Sequence, residues 1–181
     1  MNNVKLTPTA HAVLGLLSFG QPLAGYEIRQ WARRALGHFY PAPAQSQIYA
    51  ELSRLEEAGF VSSSDVPQVD RPDKITFTIT PAGTDQLSDW IATAPIPAPV
   101  LKHHLALRVF LGHNGDPTDL IPSLEAHRDS LLALLDELET QSVAMGAEPD
   151  AGYAAAVADW TAEIYRGDLR GVDHVLKALT S

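Results

Sequence analysis

The 181-residue chain contains no cysteine. That excludes a disulfide framework and a thiolate zinc site, and it suits a reducing compartment. Long apolar runs are also missing. None approaches the roughly 20 residues that a membrane helix needs. The opening M-N-N-V-K-L-T-P has no signal-peptide apolar core. A cytoplasmic location with no membrane partner is the expectation. Basic residues are scarce, 13 Lys and Arg against 22 Asp and Glu, for a formal net charge of -9. Catalytic signatures are absent as well. The stretch G-L-L-S-F-G has no Lys after its second Gly and so makes no phosphate loop. Asp173-His174 has no accompanying serine or cysteine elbow. His103 and His104 are adjacent, so their rings diverge on a helix and are poorly placed for one metal. No enzyme, cofactor or metal is expected.

What is present describes an ordinary globular protein: 45% apolar residues and a mean hydropathy of -0.05. The length allows one large domain or two small ones. Charge is distributed unevenly. Residues 1–58 hold five Lys and Arg against four Asp and Glu, a net of +1. Residues 96–181 hold six against thirteen, a net of −7. A near-neutral head on an acidic body is compatible with phosphate contact, because only charges within about a Debye length of ~8–10 Å act strongly.

The richest stretch is Ser46 to Gly59, S-Q-I-Y-A-E-L-S-R-L-E-E-A-G. Ile48, Leu52 and Leu55 fall at i, i+4 and i+7, one buried helical stripe. Gln45, Gln47, Tyr49, Ser53 and Arg54 occupy the other face, and Gly59 stops the helix. Two β-like runs follow, Phe60 to Val66 and Lys74 to Thr80, joined by V-P-Q-V-D-R-P-D. Upstream, Thr7-Pro8 starts a first helix that buries Ala10, Val13, Leu14 and Leu17. Gly25 opens a second helix through Ile28, Trp31, Ala32 and Ala35, and Gly37 closes it. Three helices followed by a two-stranded hairpin predict a winged helix-turn-helix. Thr80-Pro81 repeats the start signal for a fourth helix, with Leu87, Trp90 and Ile91 expected inward.

The segment A-P-I-P-A-P at 94–99 is the only proline-dense stretch and marks the expected linker. The expected domains are therefore a winged helix over 1–93 and an all-α domain over 100–181. Helical segments are expected from about Val100 to Leu111, Pro117 to Met145 and Pro149 to Leu179. Leu120, Leu124, His127, Leu131, Leu134 or Leu135, and Leu138 recur at spacings of three and four. At 1.5 Å per residue this helix is ~40 Å long, which points to a seam with a second copy; an internal core helix is the alternative.

The blocks L-G-L-L at 14–17, G-Y-E-I at 25–28, Q-I-Y-A-E-L-S-R-L-E-E-A-G at 47–59 and I-T-P-A-G at 79–83 resemble the PadR family of bacterial transcriptional regulators. The C-terminal half looks like the helical domain of its longer, virulence-activator-like subfamily. The resemblance implies a homodimer held by C-terminal helices, with two winged helices on a palindromic operator, usually repressing a nearby gene. It also implies release by a phenolic, drug-like or other planar effector. The sequence departs from the pattern at Y-P-A-P-A-Q-S, which is about one residue longer than the pattern and has no Ser or Thr cap before Ala44, and in a wing that sets Asp70 and Asp73 beside Arg71 and Lys74.

The expected DNA contacts are Gln45, Ser46, Gln47, Tyr49 and Arg54 on the third helix and Arg71 and Lys74 on the wing. Arg33 and Arg34 on the second helix, with Lys5 and Thr7 at the first, complete the set. Gln can pair bidentately with adenine, and Tyr49 can reach a phosphate or else form a wall against the first helix. Arg33 and Arg34 can alternatively serve the helix dipole. Trp90, His103, Tyr153 and Trp160 are the effector candidates, and Leu120, Leu124, Leu131, Leu135 and Leu138 the dimerisation candidates. The rival reading is a winged-helix module that binds a protein rather than DNA.

Overall fold

The computed structural model describes residues 5–67, 74–145 and 151–180. Arg71, Asp70 and Asp73 of the expected wing tip, and Pro149, lie outside the described residues. The chain divides into two compact units, Met1–Pro97 and Ala98–Ser181.

The first unit begins with α1 (Pro8–Leu17), α2 (Gly25–Ala35) and α3 (Gln45–Glu57). Thr7 caps α1 by accepting from the Ala10 amide, and Pro8 supplies a first-turn residue that needs no donor. The other two helices start at alanines, which have no oxygen to cap with. Their third residues reach back instead: Glu27 accepts from the Ala24 amide at 2.8 Å and Gln47 from the Ala44 amide at 2.8 Å. This half of a capping box satisfies one orphan donor each. Leu14, Leu17, Ile28, Ile48, Leu52 and Leu55 are fully buried where α1, α2 and α3 meet. Each such side chain contributes ~1.5–3 kcal/mol by leaving water.

Strands β1 (Val61–Val66) and β2 (Lys74–Ile79) pair antiparallel, from Val61↔Ile79 at the base to Val66↔Lys74 at the tip. Leu23 adds a single bridge to Phe77, with amide-to-carbonyl bonds in both directions. The hairpin is fastened beneath its base. The Thr80 amide donates to the Phe60 carbonyl at 3.0 Å, and the Thr80 hydroxyl donates to the Gly59 carbonyl at 2.7 Å. The same hydroxyl accepts from Gly83 and so caps α4 (Pro81–Thr93). A Cβ at Gly83 would collide with the Phe60 carbonyl, which is why this turn takes Thr-Pro-Ala-Gly. On α4 Leu87 is buried, but Trp90 and Ile91 are 40% and 70% exposed, correcting the expectation that both face inward.

In the second unit α5 (His104–Phe110) is shorter than expected, because His103 caps it and residues 100–103 are not helical. Two 3-10 turns, Gly112–Asn114 and Pro117–Leu120, lead into α6 (Ile121–Met145), followed by α7 (Ala151–Thr180). α6 and α7 form the body. Leu120, Leu124 and Leu131 meet Val172, Leu176 and Leu179, while Leu135 and Leu138 meet Ala158 and Ala162, an antiparallel hairpin. The five leucines expected to form a seam with a second copy are thus spent inside one chain. The periodicity announced a buried face, and α7 is long enough to cover it.

Candidate nucleic-acid interface and a histidine cleft

The outward face of α3 carries the chemistry a base edge or phosphate would meet. Ser46, Gln47 and Tyr49 are exposed and Gln45 is half-buried. Gln47 is not free, however, since its carbonyl oxygen holds the Ala44 amide and only its NH2 end remains to donate outward. Tyr49 is 47% exposed. Its ring lies against Gly25, where a Cβ would stand 2.6 Å from Cζ. The wall it forms is therefore against the start of α2, not against α1, and its outer edge stays accessible.

Several expected phosphate contacts are engaged elsewhere. Lys74 donates to Glu27 at 2.6 Å and sits 5.6 Å from the centre of the Tyr26 ring. Burial works against ionising Glu27, but hydrogen bonds from Lys74, the Ala24 amide and Tyr26 outweigh it and hold this carboxyl below its usual range. The Glu27 bond in turn raises Lys74. The Thr7 hydroxyl donates to buried Glu51 at 2.9 Å while capping α1, so it serves the fold. Arg54 reaches the same carboxylate at 3.3 Å. Lys5, Thr7 and Arg54 line one open groove with Glu51 and Glu57, a mixed rather than a positive surface. Arg33 and Arg34 are exposed at the end of α2 and make no ion pair with a described residue.

The four effector candidates are divided between the two units. Trp90 belongs to the first unit, where its ring stacks on buried His11 at 4.3 Å. Burial lowers the His11 pKa, against an opposing pull from the Thr7 backbone. Tyr153 and Trp160 are 90% and 70% exposed on α7. His103 lines a cleft of about 480 Å³ with Lys102, His104, Leu105, Arg108, Ser123, His127 and Asp168. His103 Nε2 lies 2.9 Å from Asp168 Oδ1, and His127 Nε2 lies 3.0 Å from Oδ2. Burial opposes ionisation of Asp168, yet the two histidines together hold it below the usual carboxylate range. Sequence reasoning had placed His127 in the leucine row and missed Asp168. The available signal was a titratable residue inside an otherwise apolar stripe.

A helix-turn-helix core with a fastened two-stranded wing, followed by a helical hairpin unit, defines a winged-helix protein of the transcription-regulator class. The sequence profile of the "Transcriptional regulator PadR-like family" matches residues 13–89, and that of the "Virulence activator alpha C-term" matches residues 101–180. The chain belongs to the PadR-like family of transcriptional regulators, in the form that carries the virulence-activator C-terminal domain. It is 36% identical over 102 residues to the negative transcriptional regulator PadR of Bacillus subtilis, a match covering 56% of this chain and 55% of that protein. It is 29% identical over 175 residues to the probable transcriptional regulator Rv1176c of Mycobacterium tuberculosis, covering 92% and 90% of the two chains. These relatives are named as regulators, not enzymes. In fold it is similar to Bacillus subtilis PadR in complex with operator DNA, with a TM-score of 0.82, 23% identity, and 94% and 98% of the chains covered. It is similar also to that protein in complex with p-coumaric acid, with a TM-score of 0.75, 23% identity, and 95% and 98% covered. No helix among the described residues is long and apolar enough to cross a membrane.

Proposed function

We propose that the protein is a cytoplasmic homodimeric regulator that binds double-stranded DNA through α3, represses from a palindromic operator, and is released by a small planar effector. Residues 1–93 bind DNA, 94–99 link, and 100–181 dimerise and take the effector. The observation that carries this reading is the division of α3: Ile48, Leu52 and Leu55 are fully buried while Ser46, Gln47 and Tyr49 face solvent. A helix so anchored can enter a major groove with its first turn leading. The PadR complexes with operator DNA and with p-coumaric acid support the two ligand classes. Because the leucines of α6 are consumed internally, dimerisation falls to the exposed apolar residues of the second unit, Trp160 and Ile164 on α7 among them.

The test is a gel shift on the protein's own promoter region across a salt series. Tyr49→Ala with Gln45→Ala is expected to abolish a specific shift. Gln47→Glu keeps the acceptor that caps α3 but exchanges the outward NH2 donor for a negative charge, so it should weaken DNA binding while leaving the cap in place. The engagement of Lys74 and Arg54 with acids favours one rival, a winged helix that docks a protein. No shift at low salt from a protein shown to be dimeric would favour that rival.

A further inference from the structure

The cluster of His103, His127 and Asp168 is assembled from three separate elements: the cap of α5, the second turn of α6 and the middle of α7. His127 occupies the row of α6 between Leu124 and Leu131, both fully or nearly fully buried. Asp168 faces it from α7, beside Leu169 and Val172 of the same core. A polar group there does little for stability, since a partly buried ion pair seldom outperforms an apolar pair of the same size. The cluster therefore invites a reason other than folding.

Its geometry supplies one. One donor atom from each residue, two imidazole nitrogens and a carboxylate oxygen, lies within 4.8 Å of the other two. The imidazole rings meet edge to face, with centroids 5.3 Å apart. An N,N,O donor set with one open side suits a first-row transition ion such as Zn²⁺, at ~2.0–2.2 Å from each ligand, rather than Mg²⁺ or Ca²⁺, which favour oxygen. The open side is the cleft. We propose that His103, His127 and Asp168 bind one divalent transition-metal ion, with the fourth position open to the cleft.

Two details shape how such an ion enters. His103 Nδ1 accepts from the Ala106 amide at 3.0 Å, so neutral His103 carries its proton on Nε2 and gives it to Asp168. Metal on Nε2 requires that proton to move to Nδ1 through solvent, with no net proton released from the ring. The Ala106 bond is then lost. Metal uptake is thereby linked to the first turn of α5. Lys102 and Arg108 line the same cleft, and Arg108 is held by Ser123 at 3.0 Å. Two cations beside a dication weaken the site and make an anion, a carboxylate or phenolate, the natural fourth ligand.

The experiment is titration of chelator-treated full-length protein with Zn²⁺, with bound metal counted after dialysis. One ion per chain is expected, and Mg²⁺ should not compete. Asp168→Asn and His127→Gln should each weaken binding by more than about tenfold, the least that even an outer-shell change tends to cost. His113→Gln and His174→Gln, which alter histidines outside the cluster, should leave it unchanged. X-ray absorption on the zinc-loaded wild-type protein gives a readout that no variant's folding can spoil, and two imidazoles with one carboxylate are expected. Sub-stoichiometric binding, binding indifferent to Asp168→Asn and His127→Gln, or a shell without two imidazoles would overturn the proposal.

Discussion

At Gly83 the packing leaves room for a hydrogen and nothing larger, because the Phe60 carbonyl faces the missing Cβ. Gly83→Ala must push backbone against backbone, and overpacking of this kind costs ~1–3 kcal/mol. Thermal melting of the first unit should record that loss. His11 makes a different kind of prediction. Its folded pKa is lowered from 6.5, chiefly by burial, so the unfolded chain binds its proton more readily than the native one. Stability is then fully present above pH 6.5 and is lost as pH falls through the folded value. Urea unfolding between about pH 7.5 and about pH 5.5 should show this loss in the wild type. His11→Phe, which keeps a ring against Trp90, should flatten it. An unchanged pH dependence in that variant would remove His11 from the account.

Among the elements, α6 and α7 divide their apolar residues between two duties. Leu124→Ala should destabilise the second unit by ~2–5 kcal/mol through the cavity it leaves. Trp160→Ala with Ile164→Ala, on the exposed face of α7, should change stability by only about 0.5 kcal/mol each while shifting sedimentation toward monomer. This is also where the sequence was least legible. A spacing of three and four identifies a helix with one buried face, but periodicity carries no label for the covering surface. The same row was readable as a helix and unreadable as a contact. The caps were legible because they are local: Thr7-Pro8 and Thr80-Pro81 declare their helices within four residues. Lys74 to Glu27, Thr7 to Glu51 and His103 to Asp168 were not, since they join residues separated by 47, 44 and 65 positions. Within the candidate interface, the engagement of Thr7 and Lys74 was illegible for that reason: each is held by a carboxylate distant in sequence.

For the whole molecule, a net charge of -9 and engaged cations mean that few positive charges remain to meet phosphate. A protein that neutralises few phosphates releases few counterions, so its affinity should fall only gently with salt. If Arg33 and Arg34 each meet one phosphate, removing both should flatten the log–log salt slope by about two for each head and weaken all sequences alike. A gel-shift series on specific and random duplexes measures both. The fastening of Thr80 onto Gly59 and Phe60 bears on descent as much as on folding. It closes the hairpin at its root through Gly59, Phe60 and Thr80, so the two strands are joined there whatever segment connects β1 to β2. Lineages of this chain are therefore at liberty to lengthen, shorten or recharge that segment. Changes can be tried out there while the helices that must fold together are inherited intact.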